Sequence, residues 1–358
     1  MEAVLRTFAR KYPGMQPVDV IKLLYQREMG GGHLVRDREE SLKRILEECR
    51  PDLIVETEPE ALGGNMFRVH LSSLPALETP EQLNVDFVRS SARHRGRISQ
   101  LEKDLTEAEA MADAGLFPAF DGNAMRRAHA DFREKGYPIP SHSPEYRRLY
   151  RPAYRVVDRC CSFPLMIREA LERSRENLTI LALDGRCGSG KSTLARALSR
   201  KYGWTVVSMD DFFLRPEQRT ETRYAMAGGN VDAERVLEEV LKPLREGGEV
   251  KYRPFDCRTM GFQEERPVPV TSVVILEGTY ACHPMLWSFS DLHVFLDIDP
   301  VRQMERILRR NGERAEDFRT RWIPLEEHYF RETGVEYLCE YALEPAEAEH
   351  GEKREENS

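Results

Sequence analysis

One stretch of the chain decides the fold of its second half: LTILALDGRCGSGKSTLARAL, residues 178–198. It starts with a short, continuously apolar run, which is typical of a strand that is buried on both faces of a sheet. It ends in residues that favour a helix. Between them, GRCGSGKS at residues 185–192 satisfies the pattern Gly-x-x-x-x-Gly-Lys-Ser/Thr of a phosphate-binding loop, in the strand–loop–helix context that this loop requires.

The residue types of this loop fit the binding of a nucleoside triphosphate. Glycines let the backbone curl so that successive N–H groups point at phosphate oxygens, and the following helix adds the positive end of its dipole. Lys191 would place its charge on the β- and γ-phosphates, and Ser192 would offer its hydroxyl to Mg²⁺. The sequence therefore predicts ATP and Mg²⁺ as ligands. The residues predicted to bind ATP are Gly185, Arg186, Cys187, Gly188, Ser189, Gly190, Lys191, Ser192 and Thr193.

Three more apolar runs follow, at residues 205–208, 273–276 and 292–298, and helical stretches separate them. Strands that are apolar on both faces and alternate with helices indicate a parallel sheet covered on both sides. The predicted fold class is therefore α/β: a P-loop NTPase-type parallel sheet covered by helices. A mainly α-helical (α+β) amino-terminal domain precedes it.

Acidic residues end or follow two of these runs. Asp210 and Asp211 come after the second, and Glu277 follows the third. An α/β sheet presents its ligands at the carboxyl ends of its strands, so Asp210 would accept the proton of an attacking hydroxyl. The alternative is that one of the two aspartates only caps the next element. Glu277 would hold Mg²⁺ together with Ser192, directly or through water.

A basic helix is predicted after the fourth run, beginning at Asp299-Pro300. Arg306, Arg309 and Arg310 lie three and four residues apart and therefore share one helix face; Arg314 follows them. A basic face is usually just solvated. After the last strand of a phosphoryl-transfer core, however, it indicates a lid that closes over phosphates and shields them from water.

With these pieces in place, residues of about 178–335 resemble the uridine kinase/phosphoribulokinase-like family of P-loop small-molecule kinases. The pieces that carry the resemblance are GRCGSGKS, SMDDFF, GGNVDAERV…LKPLREG, YRPFDCRT, VVILEGTY and RQMERILRRNGER. The resemblance implies ATP-dependent phosphorylation of a hydroxyl on a small metabolite, with a nucleoside as the first expectation. It assigns catalytic roles to Asp210, Lys191, Arg306, Arg309 and Arg314, and metal binding to Ser192 and Glu277.

The chain departs from the uridine kinase pattern at two places. Where uridine kinases typically follow the Glu-Arg of the lid with Gly-Arg, this chain has Ala315-Glu316, and Arg319 or Arg321 could substitute for the missing arginine. Where they usually present a tyrosine and a histidine to the base, this chain has Phe255 and Met260. A pocket loses discrimination when its polar partners become apolar. The alternative acceptor is therefore a non-nucleoside alcohol, such as a sugar phosphate or a vitamin precursor.

Other residues of the second half are candidates for holding the acceptor. The residues predicted to bind substrate are Asp211, Asp232, Phe255 and Asp256. For Asp232 and Asp256 the alternative is a role in surface salt bridges. The alternative to an enzyme is a nucleotide-dependent regulatory protein. Asp210 argues against it, because a pure sensor has no use for a base at that position.

The first 158 residues carry no catalytic motif that could assign them a role. Their apolar spacing predicts helices at about 80–92, 96–114 and 121–136, and a hairpin from residues 53–56 and 67–71. One or two helices are predicted between Glu145 and Asn177. The predicted domains are 1–158, mainly helical; 159–177, a connecting helix; 178–343, the P-loop kinase domain; and 344–358, an acidic disordered tail.

The composition indicates the redox environment of the protein and its classes of partner. The 358 residues include seven scattered cysteines without a CxxC, and no apolar segment is long enough to span a bilayer. This pattern indicates a reducing cytoplasm and no membrane partner. The net charge of −8 disfavours nucleic acid as a partner. The expected partners are ATP and a small hydroxyl acceptor, and the question of a homo-oligomer stays open.

Overall fold

The computed structural model describes residues 1–31, 35, 37–49, 58–73, 79–93 and 96–346. They divide into two compact units. The first holds the described part of residues 1–164 together with Ala346, and the second is Leu165–Pro345. The domain limits proposed from the sequence stay predictions. In the ranges described, no helix is both long and apolar enough to cross a membrane.

The first unit combines helices with a small antiparallel sheet. Its helices are α1 (Glu2–Lys11), α2 (Pro17–Met29), α3 (Arg38–Glu48), α4 (Pro80–Arg93), α5 (Ile98–Asp113), α6 (Gly122–Glu134) and α7 (Pro144–Tyr150). Its strands are β1 (Glu60–Gly63), β2 (Met66–His70) and β3 (Tyr154–Asp158), in the order β1-β2-β3. The three helices predicted between residues 80 and 136 are confirmed by α4, α5 and α6.

Two predictions for the first half are corrected by the structure. Strand β2 pairs with β1 across a turn at Gly64-Asn65; residues 53–56, the predicted partner, lie outside the described residues. The stretch from Glu145 to Asn177 was predicted as helix only, but it contains β3 between α7 and α8 (Phe163–Arg173). Strand β3 forms because Val156 and Val157 suit a buried strand and β2 supplies its pairing partner. Helical spacing in the sequence does not reveal that pairing.

The core of the second unit is a five-stranded parallel sheet. The strands of this unit are β4 (Thr179–Gly185), β5 (Thr205–Ser208), the two-residue strands β6 (Lys251–Tyr252), β7 (Phe255–Asp256), β8 (Gly261–Phe262) and β9 (Arg266–Pro267), then β10 (Val273–Glu277), β11 (Leu292–Leu296) and β12 (Tyr341–Leu343). The parallel sheet has the order β12-β11-β4-β10-β5, which confirms the predicted α/β fold class. The four predicted strands are present; β12 was missed because a three-residue strand carries too little pattern.

Helices flank and connect these strands. They are α9 (Lys191–Tyr202), α10 (Glu221–Ala225), α11 (Ala233–Val236), α12 (Lys242–Glu246), α13 (Pro300–Asn311), α14 (Ala315–Asp317), α15 (Ile323–Thr333) and α16 (Val335–Leu338). Every residue of β4, β10 and β11 is buried. This burial explains why these strands are apolar on both faces.

The register of the sheet places three strand ends side by side. Glu277, the last residue of β10, lies opposite Leu183 of β4 and Ser208 of β5. The phosphate-binding loop begins just after Leu183, and Asp210 comes just after Ser208. Parallel topology alone therefore brings the loop, Glu277 and Asp210 to one edge of the sheet.

Candidate active site

The phosphate-binding loop, residues 185–192, depends on three glycines with positive φ. The angle is 135° at Gly185, 77° at Gly188 and 102° at Gly190. A Cβ atom at Gly185 would lie 2.0 Å from the carbonyl oxygen of Leu296. At this position the close approach of β11 and the backbone angle both require glycine.

Lys191 lies along the loop at the start of α9. Its ammonium donates hydrogen bonds to the carbonyl oxygens of Gly185 (2.7 Å) and Arg186 (2.9 Å), and the side chain is buried. The residues predicted to bind ATP all lie in this loop or in the first turn of α9. The loop therefore presents its lysine and a helix N-terminus in the arrangement that phosphate binding requires.

The side chain of Arg186 has a different role from its loop neighbours. Its guanidinium forms ion pairs with Asp297 (2.7 Å), Glu327 (2.7 Å) and Glu336 (3.1 Å). These carboxylates come from the end of β11 and from α15 and α16. Arg186 thus anchors the loop to the surrounding helices.

Glu277 lies at the centre of the predicted metal site. Its two carboxylate oxygens accept hydrogen bonds from the hydroxyls of Ser192 and Ser208, each at 3.2 Å. Burial raises the pKa of Glu277, the charge of Asp210 raises it further, and Lys191 lowers it. Glu277, Asp210 and Lys191 are therefore electrostatic neighbours.

This set of oxygen donors fits Mg²⁺. In the part of the chain that is described, no group of three or more His, Cys, Asp or Glu side chains could hold a metal ion. Magnesium at nucleotide sites usually takes only one or two protein carboxylates, and phosphate oxygens and water complete its shell. Glu277 and Ser192 would be the protein's contribution.

Asp210 lies in a single 3₁₀ turn, Met209–Phe212, directly after β5. Its side chain is exposed, yet enough protein surrounds the carboxyl for partial desolvation to raise its pKa, against the lowering effect of Lys191. Ser208 caps the turn by accepting a hydrogen bond from the Asp210 N–H at 3.4 Å. Because a serine does the capping, both aspartates keep their carboxylates free of that role.

Helix α13, the predicted lid, contacts the phosphate-binding loop. Arg306 donates to the carbonyl oxygen of Gly188 at 3.1 Å. Gln303, one turn earlier, donates to the carbonyl oxygen of Cys187 at 3.0 Å. These two contacts set the distance between α13 and the loop.

The other predicted lid arginines extend into solvent. Arg309 and Arg314 are exposed, and neither forms an ion pair with any residue that the structure describes. The charge of Arg310, which shares their helix face, lowers the pKa of Asp210. Positive charge from this helix therefore reaches the carboxylate at the end of β5.

The two candidates for the missing lid arginine are engaged elsewhere. Arg319 forms an ion pair with Glu316, the acid that stands at the lid position. The guanidinium of Arg321 lies over the rings of Trp322 (4.8 Å) and Tyr224 (5.4 Å). Neither side chain contacts the phosphate-binding loop.

Among the predicted substrate residues, Asp211 lies next to the candidate base. It accepts hydrogen bonds from the hydroxyl of Tyr252 (2.6 Å) and from Arg266 (3.0 Å). Its contacts hold its carboxylate in place beside Asp210. That Asp211 binds the acceptor stays a prediction.

The remaining predicted substrate residues make contacts within the protein. Asp232 is buried and caps α11, with a further hydrogen bond from Gln218 at 2.9 Å. Asp256 accepts from the backbone N–H of Arg258 at 2.8 Å. Phe255 packs edge to face on Phe262 in the β7–β8 hairpin. The prediction that these three bind substrate stays a prediction.

Sequence reasoning missed two carboxylates that support the loop. Asp184 is fully buried and accepts from the N–H groups of Tyr280 (3.0 Å) and Cys282 (2.9 Å) and from the hydroxyl of Tyr329 (2.9 Å). Its place between an apolar run and the loop was the available signal. Glu326 accepts from the N–H of a loop residue at 3.0 Å, but nothing local marks a glutamate so far along the chain.

Comparisons with known proteins cover mainly the second unit. The chain is similar to the bifunctional alpha-galactosidase/sucrose kinase AgaSK of Mediterraneibacter gnavus, with 29% identity over 220 residues, 54% of this chain and 23% of that protein. It is also similar to a uridine kinase of Clostridium perfringens, with 26% identity over 146 residues, 38% of this chain and 69% of that protein. The chain thus spans about a quarter of the first relative and about two thirds of the second.

A solved structure of a possible uridine kinase from Bacillus stearothermophilus has a TM-score of 0.38 and 19% identity, and the match covers 50% of this chain and 99% of that one. Residues 180–320 match the model of the family described as Phosphoribulokinase / Uridine kinase family. This is the family that the motifs predicted. Residues 180–320 therefore carry the similarity of this chain to the phosphoribulokinase/uridine kinase family.

Proposed function

We propose that the protein transfers the γ-phosphoryl group of ATP to a hydroxyl group of a small metabolite. The observation that carries this proposal is the meeting of Lys191, Glu277 and Asp210 at the ends of β4, β10 and β5: the charge of Lys191 lowers the pKa of both carboxyls, and that of Asp210 raises the pKa of Glu277. Phosphoryl transfer needs a cation for the phosphates, an oxygen ligand for Mg²⁺ and a base for the acceptor. A nucleotide sensor needs only the first two.

Each group then has a defined task. Lys191 exchanges its carbonyl partners for phosphate oxygens, and Asp210 accepts the proton of the attacking hydroxyl. The raised pKa of Asp210 makes it a stronger base than an ordinary aspartate. Arg309 and Arg314 neutralise charge that develops on the transferred group. Bound Mg²⁺ would add further neutralisation of phosphate charge.

We further propose that the acceptor is a sugar without a base. Phe255 is buried against Phe262, and Met260 is exposed at the tip of the same hairpin, so neither can hydrogen-bond a pyrimidine. The similarity to a sucrose kinase supports a carbohydrate acceptor. Asp211, beside the base, offers a carboxylate to a sugar hydroxyl. The second candidate is a nucleoside, which the similarity to a uridine kinase supports.

An acceptor screen tests both proposals. ADP release from ATP and Mg²⁺ would be followed with sucrose, hexoses, sugar phosphates, uridine and cytidine. We expect a sugar to stimulate ADP release and uridine to leave it near the background rate. Stimulation by nucleosides alone would contradict the sugar assignment while leaving the kinase assignment intact.

The Asp210→Asn variant tests the chemistry itself. Loss of a general base usually costs about 10²–10⁴-fold in rate, and ATP affinity should change little because the loop is untouched. Asp317→Asn, an exposed carboxylate on α14, is the matched control and should retain full turnover. Full activity of Asp210→Asn would refute the proposed mechanism.

A further inference from the structure

A second site is present in the first unit, where the sequence showed no motif. Its helices α2, α3 and α4 and strand β3 enclose a pocket of about 190 Å³. A pocket of this size is large enough for a small ligand.

Positive charge dominates the wall of this pocket. Lys22, Arg44 and Arg155 line it, and Glu48 is the lining carboxylate. Glu48 pairs with Arg155 at 2.8 Å. Arg44 lies on the same side of α3 as its ion-pair partner Glu40. In the described part of the chain, Lys22 is therefore the lining cation that has no ion-pair partner.

Lys22 is the lining cation whose charge is least compensated by nearby carboxylates. In the described ranges no carboxylate lies within 4.0 Å of its ammonium, which donates to the carbonyl oxygen of Pro140 at 3.0 Å. Burial lowers the pKa of Lys22 to about 8, and the charges of Arg68 and Arg147 lower it while that of Asp19 raises it. A desolvated ammonium without an anion is costly, and an anionic ligand would remove that cost.

Polar groups around Lys22 are arranged for a ligand. Ser41 also lines the pocket, and 4% of this residue is exposed. Its hydroxyl is a hydrogen-bond donor for a ligand. The hydroxyl of Tyr154, by contrast, is fixed by His142 (2.6 Å) and Gln26 (3.2 Å), so this side of the wall is already ordered.

We propose that this pocket binds a small metabolite that carries a phosphate or carboxylate group. Lys22 and Arg155 contact the oxyanion, and Ser41 donates its hydroxyl hydrogen to it. Charge-assisted bonds of this kind are the strong ones in a partly desolvated site. The pocket lies wholly within the first unit, and its ligand is distinct from the ATP and acceptor of the proposed reaction.

Titration calorimetry of the full-length chain tests this site with three probes: inorganic phosphate, glycerol 3-phosphate and succinate. Because the phosphate-binding loop is itself an anion site, every titration uses the Lys191→Ala chain as its background. We expect at least one probe to bind with a Kd below about 1 mM. Binding of succinate alone would identify a carboxylate ligand, and binding of the phosphates alone a phosphate ligand.

Three further variants in that background locate the binding. Lys22→Met keeps the buried stem and removes the charge, so it should fold and bind at least tenfold more weakly. Ser41→Ala removes one donor and should weaken binding severalfold. Lys135→Met, an exposed lysine on the same unit, should bind unchanged. Absence of saturable binding by all three probes, or equal affinity in Lys22→Met, would overturn the proposal, whatever the kinase assays show.

Discussion

The two units of the chain place their charged residues in opposite ways. In the second unit an apolar parallel sheet forms the core, and buried charges such as Asp184 and Glu277 stand at its strand ends. In the first unit charges enter the core itself: Arg68 is 1% exposed and Asp19 is not exposed at all. A site at strand ends can be recognised from a local motif. A site built on buried charges is assembled from distant segments and leaves no such mark.

The largest loss of stability is expected at Gly185, where the backbone of β11 leaves no space for a side chain. Gly185→Ala would push a Cβ atom to 2.0 Å from the backbone oxygen of Leu296, at a φ of 135°. Backbone strain and the displaced strand together should cost more than about 4 kcal/mol or prevent folding of this unit. The measurement is urea unfolding followed by tryptophan fluorescence, because Trp204, Trp287 and Trp322 all lie in the second unit.

Gly203→Ala provides the matched control for that substitution. Gly203 also has positive φ, 71°, but no atom lies within 4 Å of an added Cβ. It should cost only about 1 kcal/mol. Equal losses for the two variants would show that φ alone, and not the approach of β11, requires glycine in the loop.

The second largest loss of stability is expected when the buried charge of Arg68 is removed from the first unit. Arg68 donates two hydrogen bonds to Gln26, at 3.0 and 2.8 Å, and lies 4.6 Å from the ring of Tyr154. Arg68→Met should destabilise the first unit by about 3 kcal/mol, because it leaves buried polar partners behind. Unfolding followed by circular dichroism would detect the loss. Arg147→Met, an exposed arginine on α7, should change stability by less than about 0.5 kcal/mol.

Acid should change the folding stability of the two units by different amounts. Burial lowers the pKa of His142 from 6.5 to about 4, so the unfolded chain binds a proton before the folded one does. Stability is therefore lost as the pH falls from 6.5 towards 4, by roughly 2 kcal/mol between pH 7 and pH 5.

Three carboxyl groups of the second unit respond to acid with the opposite sign, whereas Glu234, whose hydrogen bonds from Arg223 lower its pKa to about 2, loses stabilisation in acid. Burial raises the pKa of Asp184, Asp210 and Glu277. These groups take up protons in the folded state first, which stabilises that state as the pH falls. Burial lowers the pKa of His283 and offsets part of this gain. The transition seen by circular dichroism should move to lower temperature at pH 5, while the tryptophan transition moves less. Equal shifts would contradict separate acid responses.

Much of the second unit could be predicted from its sequence because its order is local. The apolar runs defined four strands, and the loop motif between residues 178 and 198 placed Lys191 and Ser192 with respect to the first of them. Parallel topology then brought Glu277 and Asp210 together without any knowledge of side-chain contacts. The role of Glu326 could not be predicted, because its contact with the loop joins residues far apart in the chain.

In the first unit, by contrast, strand β3 and the pocket could not be predicted from local sequence patterns. Strand β3 was predicted as helix, since only its pairing with β2 distinguishes the two outcomes. The pocket combines Lys22 from α2, Ser41 from α3 and Arg155 from β3. Each of these residues is unremarkable in its own segment. Only the packing of the three elements makes them neighbours.

The smallest effect decides whether Arg319 replaces the lid arginine that is missing beside Ala315, with the predicted lid arginine Arg309 as the comparison. Arg309 is exposed and forms no ion pair in the described ranges, so it is available to phosphates, whereas Arg319 is held by Glu316. Arg309→Ala should lower kcat about tenfold, which corresponds to about 1.4 kcal/mol in the barrier, and Arg319→Ala should lower it less than twofold. Both rates would be measured at saturating ATP with the acceptor found in the screen. A larger loss for Arg319→Ala would mean that Glu316 releases this arginine when the lid closes, and that the lid is rebuilt from the turn after α14 rather than from α13.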